Sequence, residues 1–217
     1  VVTLGTTGMG AVDPLEEIIP IARAYGARIH VDAAYGGYFT LANFPKDVQC
    51  HFTAMAAADS IVIDPHKHGL QPYGCGAVLF KNPEEGRFYK HDSPYTYFTS
   101  DQLHLGEITL ECSRAGAAAA ALWATQQKFP YVRSGNFAQR LNASLAAAQG
   151  LKNTLLAKGW WALEPELDIC VFSLTGLKAS EISAKNRAFF AHKAEENIHL
   201  ALFSLPQQNC PWVIEWD

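Results

Sequence analysis

Val1-Val2-Thr3-Leu4, the loop Gly5 to Gly10, the run Asp13-Pro14-Leu15-Glu16 and, beyond Gly26, the run Arg28-Ile29-His30-Val31-Asp32 decide the fold. Val1 to Leu4 reads as a buried strand. Asp13 is placed to cap the free amides of a helix, Pro14 suits its first turn, and Glu16 completes a capping box. Ile18, Ile19, Ala22 and Tyr25 then recur at helical spacing, and Gly26 stops the helix. Arg28 to Asp32 is a second strand. Strand, helix, strand at this spacing predicts a parallel βαβ unit, since parallel neighbours need a long crossover between them.

Working outward, a short Ala-rich helix around Phe52 to Ala58 leads into a third strand, Ser60 to Ile63, and Gly76 to Phe80 reads as a fourth. This is an α/β sheet, whose functional loops lie at the strand ends. Lys81 to Gly106 shows no period and reads as a loop excursion with a short helix near Pro83. Glu107 to Lys128 is helical, and Pro130 restarts a long helix reaching Lys158 before Gly159. From Trp160 the pattern changes. Strands are expected at Asp168 to Leu174, His199 to Leu205 and Trp212 to Trp216, with a helix from Ser180 to Glu196. That alternation suggests a smaller α+β domain, with the boundary inside the long helix.

Hydrophobic residues make up 49% of the 217 and charged residues 18%, enough apolar material to exclude a disordered chain. Lys plus Arg number 17 against 21 Asp plus Glu, for a net charge of −4. With no basic block, a nucleic-acid partner is not expected. The longest uncharged small-residue run, Ala115 to Gln127, is too short and too polar at its ends to span a bilayer, so no membrane partner is expected. Five scattered cysteines without a CxxC argue against a disulfide scaffold or a structural zinc site and favour a reducing cytoplasm. No metal site is expected. The chain opens on a strand with no initiator Met, so an earlier portion is expected to be missing from it.

The chemistry concentrates in Asp64-Pro65-His66-Lys67-His68, just after the third strand, with Asp32 ending the second. Parallel strands present their C-termini at one edge, so Asp32 and Lys67 should share a rim. A desolvated Lys there frees a nucleophilic amine that forms imines. A carboxylate on the same rim can keep a pyridine nitrogen protonated. Those are the two groups pyridoxal phosphate requires. Against this stands the ordinary role of such residues, a solvated rim Lys and a helix-capping Asp. The Gly5 to Gly10 loop also mimics a dinucleotide site, but its order is G-x-x-G-x-G, and a capping Asp13 would oppose an anion. His66 and His68 flank a cation, so hydrogen bonding or ring contact suits them better than a metal. Cys75 reads as a small packed thiol.

His30-Val31-Asp32-Ala33-Ala34-Tyr35-Gly36-Gly37, Ala58-Asp59-Ser60 and Asp64-Pro65-His66-Lys67 together strongly resemble the group II pyridoxal-phosphate-dependent amino acid decarboxylases. That family includes the aromatic amino acid, glutamate, cysteine sulfinate and diaminobutyrate enzymes. Thr3 to Thr7 and Ser113-Arg114 fit as well, and the resemblance runs from Val1 to about Lys128. It implies a PLP-dependent transferase-like, fold type I (aspartate aminotransferase-like) α/β large domain. Residues 1–140 would be the second part of that domain, and 141–217 an incomplete smaller α+β domain. It also implies a homodimer with an amino acid substrate.

By the same resemblance Lys67 would carry the imine to pyridoxal 5'-phosphate, and Asp32 would pair with the ring nitrogen. Ala34 would pack on a ring face, His66 would sit near the phosphate or the imine, and Thr7 near the ring or the substrate carboxylate. Many relatives carry Asn where Asp64 stands, and an Asp there would repel phosphate. Arg114 is either near the floor of the site or in a helix-start ion pair with Glu107 or Glu111. The implied reaction is loss of carbon dioxide from an L-amino acid, with electrons drawn toward a ring nitrogen that Asp32 keeps cationic. Relatives place the Cα-protonating acid on a loop before the Arg-bearing helix, and Tyr97 and His104 are the candidates here. Without such an acid, decarboxylation coupled to deamination would follow. The alternatives are a carbon–carbon lyase of the same fold, or a non-catalytic relative acting as an interaction module.

Overall fold

The computed structural model describes residues 1–90, 116–205 and 215–217. They divide into two compact units, one of residues 1–6 and 12–141, the other of 7–11 and 142–217.

In the first unit, four strands among the described residues form one sheet in the order β1 (Val2–Thr3), β2 (His30–Asp32), β3 (Ser60–Ile63), β4 (Ala77–Phe80). β1, β2 and β3 run parallel, with Thr3 opposite Asp32 and Asp32 opposite Val62. β4 is antiparallel to β3, with Ala77 opposite Ile63. The expected βαβ unit is therefore present. Its crossover is helix α1 (Leu15–Ala24), which ends before Gly26 at φ +64°. Helix α2 (Lys46–Ala54) and a 3-10 turn (Met55–Ala57) precede β3, so this helix begins earlier than its Ala-rich end suggests. A 3-10 helix at Pro83–Tyr89 follows β4.

Side chains alternate across a strand, so one face of the sheet carries Val2, Val31 and Ile61 and the other Thr3, His30, Asp32 and Val62. The first face is the drier one. Val31 and Leu4 are fully buried, and Leu15, Phe39 and Phe52 belong to the same core. Burying each such side chain contributes about 1.5–3 kcal/mol before entropy is counted. On the second face His30 Nδ1 and Ser60 Oγ lie 2.7 Å apart, two polar neighbours on adjacent strands.

Asp13 does not cap α1. Its backbone N–H donates to the Thr3 carbonyl at 2.9 Å, and its Oδ2 accepts from the Thr3 N–H at 2.7 Å. The chain folds back there through an antiparallel bridge between Leu4 and Val12, which consumes the carboxylate. The helix starts behind Pro14 with no side-chain cap. Tyr25 also leaves the helical face and is 85% exposed.

Helix α3 (Ala117–Lys128) falls inside the span expected to be helical. The long helix, α4 (Asn136–Ala157), starts six residues later than Pro130 because Val132 and Gly135 donate back to the Pro130 and Val132 carbonyls in successive turns. The second unit holds the rest of α4, the antiparallel pair β5 (Trp161–Ala162) and β6 (Phe172–Ser173), and helix α5 (Ala179–Glu195). Trp160 packs between Phe172 and Phe189, both ring centroids at 5.9 Å. Lys152, buried on α4, donates to Glu164 at 2.6 Å. The expected strand at His199 to Leu205 does not form: these residues pair with no strand among the described residues, and Leu202 and Phe203 stand 53% and 44% exposed. A strand without a partner leaves its ladder groups unmade. Of the expected strand at 212–216, Glu215 forms a parallel bridge to Lys178. No helix among the described residues is long and apolar enough to cross a membrane.

Candidate active site

The C-terminal edge of β1, β2 and β3 gathers Leu4, Asp32 and Asp64, and the antiparallel β4 begins at the same edge. The ladder runs past the strand ends. Leu4 N donates to Asp32 O at 2.8 Å, Ala33 N to Val62 O at 3.0 Å, and Asp64 N to Ala34 O at 3.1 Å. Because Asp32 faces the same way as Val62, and Asp64 lies two extended residues beyond, both carboxylates project from the same face of the sheet. Two residues along and one strand across puts their Cα atoms about 8 Å apart.

The chain then turns sharply. Lys67 N donates to Asp64 O at 2.9 Å, and the Lys67 ammonium lies 3.0 Å from Asp64 Oδ2. The amine is thereby held on the face that carries Asp32. It is not desolvated, since its side chain keeps 31% exposure. Asp32 keeps its carboxylate at the rim by accepting from Ala34 N at 3.2 Å. Ala34 is half-buried beside it.

His66 is oriented by one carbonyl. Cys75 O accepts from the His66 backbone N–H at 3.1 Å and lies 2.8 Å from Nδ1. A carbonyl only accepts, so Nδ1 carries the proton and Nε2 is left toward Asp64 Oδ2 at 3.8 Å. Buried Cys75 thus serves through its backbone, with its thiol packed toward Ala118 O at 4.0 Å. The His68 ring meets Tyr35 and Phe39 edge-on, at 4.7 and 4.8 Å. Both flanking histidines are therefore used in hydrogen bonding and ring contact.

What fixes this turn was not legible in the sequence. Buried Gln71 donates its backbone N–H to Pro65 O at 3.1 Å, and its Nε2 to Gly69 O and to Thr125 Oγ1 of α3 at 3.2 and 2.7 Å. A Cβ on Gly69 would fall 2.5 Å from Tyr38 Oη and 2.6 Å from Pro65 Cα, so only glycine fits. Tyr38 is buried against Tyr131 and Phe137, and burial pushes its phenol above the ordinary value. Leu70 takes φ +60°, a left-handed conformation costing roughly 1–2 kcal/mol in a non-glycine residue. Such strain persists only where packing imposes it, and here it borders the reactive turn.

Of the remaining sequence candidates, Thr7 belongs to the second unit. Tyr97, His104 and Arg114 lie outside the described residues.

The donor chemistry of the rim, a primary amine and a carboxylate at one sheet edge, fits the reactive half of a pyridoxal group. For a phosphate the rim presents Asp64, an anion already paired with Lys67. Three parallel strands carrying these groups at their C-terminal edge, with an antiparallel fourth, make this an α/β protein. The chain belongs to the pyridoxal-dependent decarboxylase family, whose conserved-domain model matches residues 1–174. It is 33% identical over 190 residues to an L-tyrosine decarboxylase of Enterococcus faecium, covering 71% of this chain and 31% of that protein. It is 31% identical over 193 residues to a probable L-aspartate decarboxylase of Pyrococcus furiosus, covering 85% of this chain and 49% of the relative. The chain thus spans less than half the length of these curated relatives. Among solved structures, a Lactobacillus brevis glutamate decarboxylase superposes with a TM-score of 0.77 at 18% identity, covering 98% of this chain and 48% of that one. That likeness bears on the fold, and the fold is that of the type I pyridoxal-dependent decarboxylases.

Proposed function

We propose that the full-length protein decarboxylates an L-amino acid to its amine and carbon dioxide, with Lys67 and Asp32 as the residues that engage pyridoxal phosphate. What supports this reading is the Lys67 amine, 3.0 Å from Asp64 Oδ2, at the sheet edge where Asp32 ends β2. When bound, pyridoxal phosphate supplies an electron sink for the pair left on Cα when carbon dioxide departs.

The chain's own residues do the rest. Lys67 releases the Asp64 carboxylate and offers its amine for covalent attachment. Asp32, held by the Ala34 N–H, keeps a proton on the ring nitrogen. Ala34 supplies a small apolar surface for the ring face. His66, with Nδ1 committed to the Cys75 carbonyl, turns Nε2 toward the amine and its counter-ion. The Gln71 clamp and the Gly69 contact keep Lys67 from drifting, which matters because small misplacements of reacting groups are costly. Thr7 near the ring or the substrate carboxylate, and Tyr97 or His104 as the acid that reprotonates Cα, complete the assignment. The reading includes a homodimer in the cytoplasm. Free thiols at Cys50, Cys75 and Cys170 suit a reducing compartment.

The test uses full-length protein, a panel of L-amino acids and carbon dioxide release with and without added pyridoxal phosphate. Cofactor-dependent release by wild type, and none by Lys67→Ala, is expected. Cofactor-stimulated carbon–carbon cleavage without carbon dioxide would replace this reading with a lyase. No turnover and no thermal shift with cofactor would replace it with an interaction module. Quantifying amine against aldehyde product decides whether the Cα acid is present.

A further inference from the structure

α1 and α2 bring three side chains of different ligand chemistry together on the surface of the first unit. Glu16 lies in the first turn of α1, and Cys50 and His51 lie in α2. One ligand atom from each, a carboxylate oxygen, Sγ and a ring nitrogen, lies within 4.8 Å of the others. Cys50 Sγ and His51 Nδ1 are 3.6 Å apart. A tetrahedral ion with a metal–sulfur bond near 2.3 Å and a metal–nitrogen bond near 2.05 Å needs those two atoms about 3.6 Å apart. The pair is therefore already at coordination distance. The Glu16 carboxylate sits against the thiol, and this contact, then burial, pushes the thiol above its ordinary range. The thiol also donates to the Asp47 carbonyl at 2.9 Å.

Glu16 and Cys50, though not His51, also line a surface depression of about 370 Å³ together with Lys46, Gln49, Thr53 and Ala54. It leaves space for water or an exogenous ligand on an ion's fourth position. Lys46 on its wall opposes a cation, whereas a Cys50 thiolate and the Glu16 carboxylate together supply two negative charges.

We propose that Glu16, Cys50 and His51 form a site for a borderline-soft divalent transition metal such as Zn²⁺, with a fourth position open to solvent. Thiolate, imidazole and carboxylate in one tripod suit such an ion and not Mg²⁺ or Ca²⁺, which take oxygen donors. Binding replaces the Cys50 S–H bond by a metal–sulfur bond and releases one proton to solvent. It also ties α1 to α2, which are joined by no covalent link except the chain between them.

Co²⁺ is the probe, titrated into full-length protein and followed by thiolate-to-cobalt charge-transfer absorption, then displaced by Zn²⁺. A band that saturates at one equivalent is expected. Cys50→Ser should abolish it, while Cys75→Ser and Cys170→Ser leave it. Glu16→Gln and His51→Ala should each weaken binding by at least the roughly 10-fold that even an outer-shell partner is worth. Zn²⁺ should raise the melting temperature of wild type and not of Cys50→Ser, whose metal-free melting curve shows whether it folds. No band in wild type overturns the site. A band of full intensity in folded Cys50→Ser overturns it equally, and so does Mg²⁺ competing as well as Zn²⁺.

Discussion

Gly36 sits where the Asp32 loop passes the end of β1. A Cβ added there would lie 2.0 Å from Leu4 O and 2.7 Å from Leu4 C, against the 3.0 Å below which real Cβ contacts essentially never fall. Gly36→Ala therefore forces about 1 Å of backbone movement at an atom with no flexible end to swing aside. Overpacking of that kind costs about 1–3 kcal/mol. The same shift strains the Leu4 N to Asp32 O hydrogen bond, 2.8 Å long, worth about 1 kcal/mol more. The total is about 2–4 kcal/mol, which lowers Tm. Thermal unfolding of full-length protein measures it. Gly150→Ala is the control: Gly150 lies inside α4 with nothing within 4 Å of an added Cβ, and Ala there should stabilise by about 0.5–1 kcal/mol. Because Gly36 braces the segment that starts at Asp32, its variant should also bind pyridoxal phosphate more weakly. A Gly36→Ala protein as stable as wild type would refute the packing argument and the close approach on which it rests.

Asp32→Asn keeps the shape and loses the charge, so cofactor absorbance should remain while carbon dioxide release falls at least about 100-fold. Equal turnover would remove Asp32 from the reaction. Phe52, 1% exposed and stacked on Phe44, should cost about 3–5 kcal/mol when cut to Ala, read by denaturant unfolding. Asp59 accepts from Arg23 at 2.9 Å and from the Ile29 N–H at 2.7 Å, and the Arg23 guanidinium first, then that amide, hold its carboxyl below the ordinary range. A depressed folded value means its stabilisation is present above the unfolded value of 3.8 and is lost as pH falls below it. Asp59→Asn should therefore narrow its stability gap to wild type between pH 5 and about pH 2, and a gap that widens on acidification would contradict the pairing.

Much of the site could be read from sequence because its logic is local. The period-2 pattern in His30-Val31-Asp32, the Gly26 stop and the helical spacing after Pro14 each lie within a short window, and a parallel crossover then obliges Asp32 and the segment after Ile63 to share an edge. Asp13 shows where local logic fails. The window around it satisfies a capping box, yet a hydrogen bond from Thr3, ten residues back, takes the carboxylate. His199 to Leu205 fails in the converse way, with strand-like composition and no pairing strand among the described residues. The orientation of His66 depends on the carbonyl of Cys75, and the rigidity of the Lys67 turn on Gln71 reaching Thr125.

The strand, helix, strand order of the first unit and its parallel pairing follow from the sequence by itself, since backbone sterics and hydrophobic period act over a few residues. Tertiary structure alone decided that Asp64 holds Lys67 at 3.0 Å, and that Glu16 meets Cys50 and His51. Each of those depends on register and on packing between helices, where a shift of one residue turns a side chain to the opposite face.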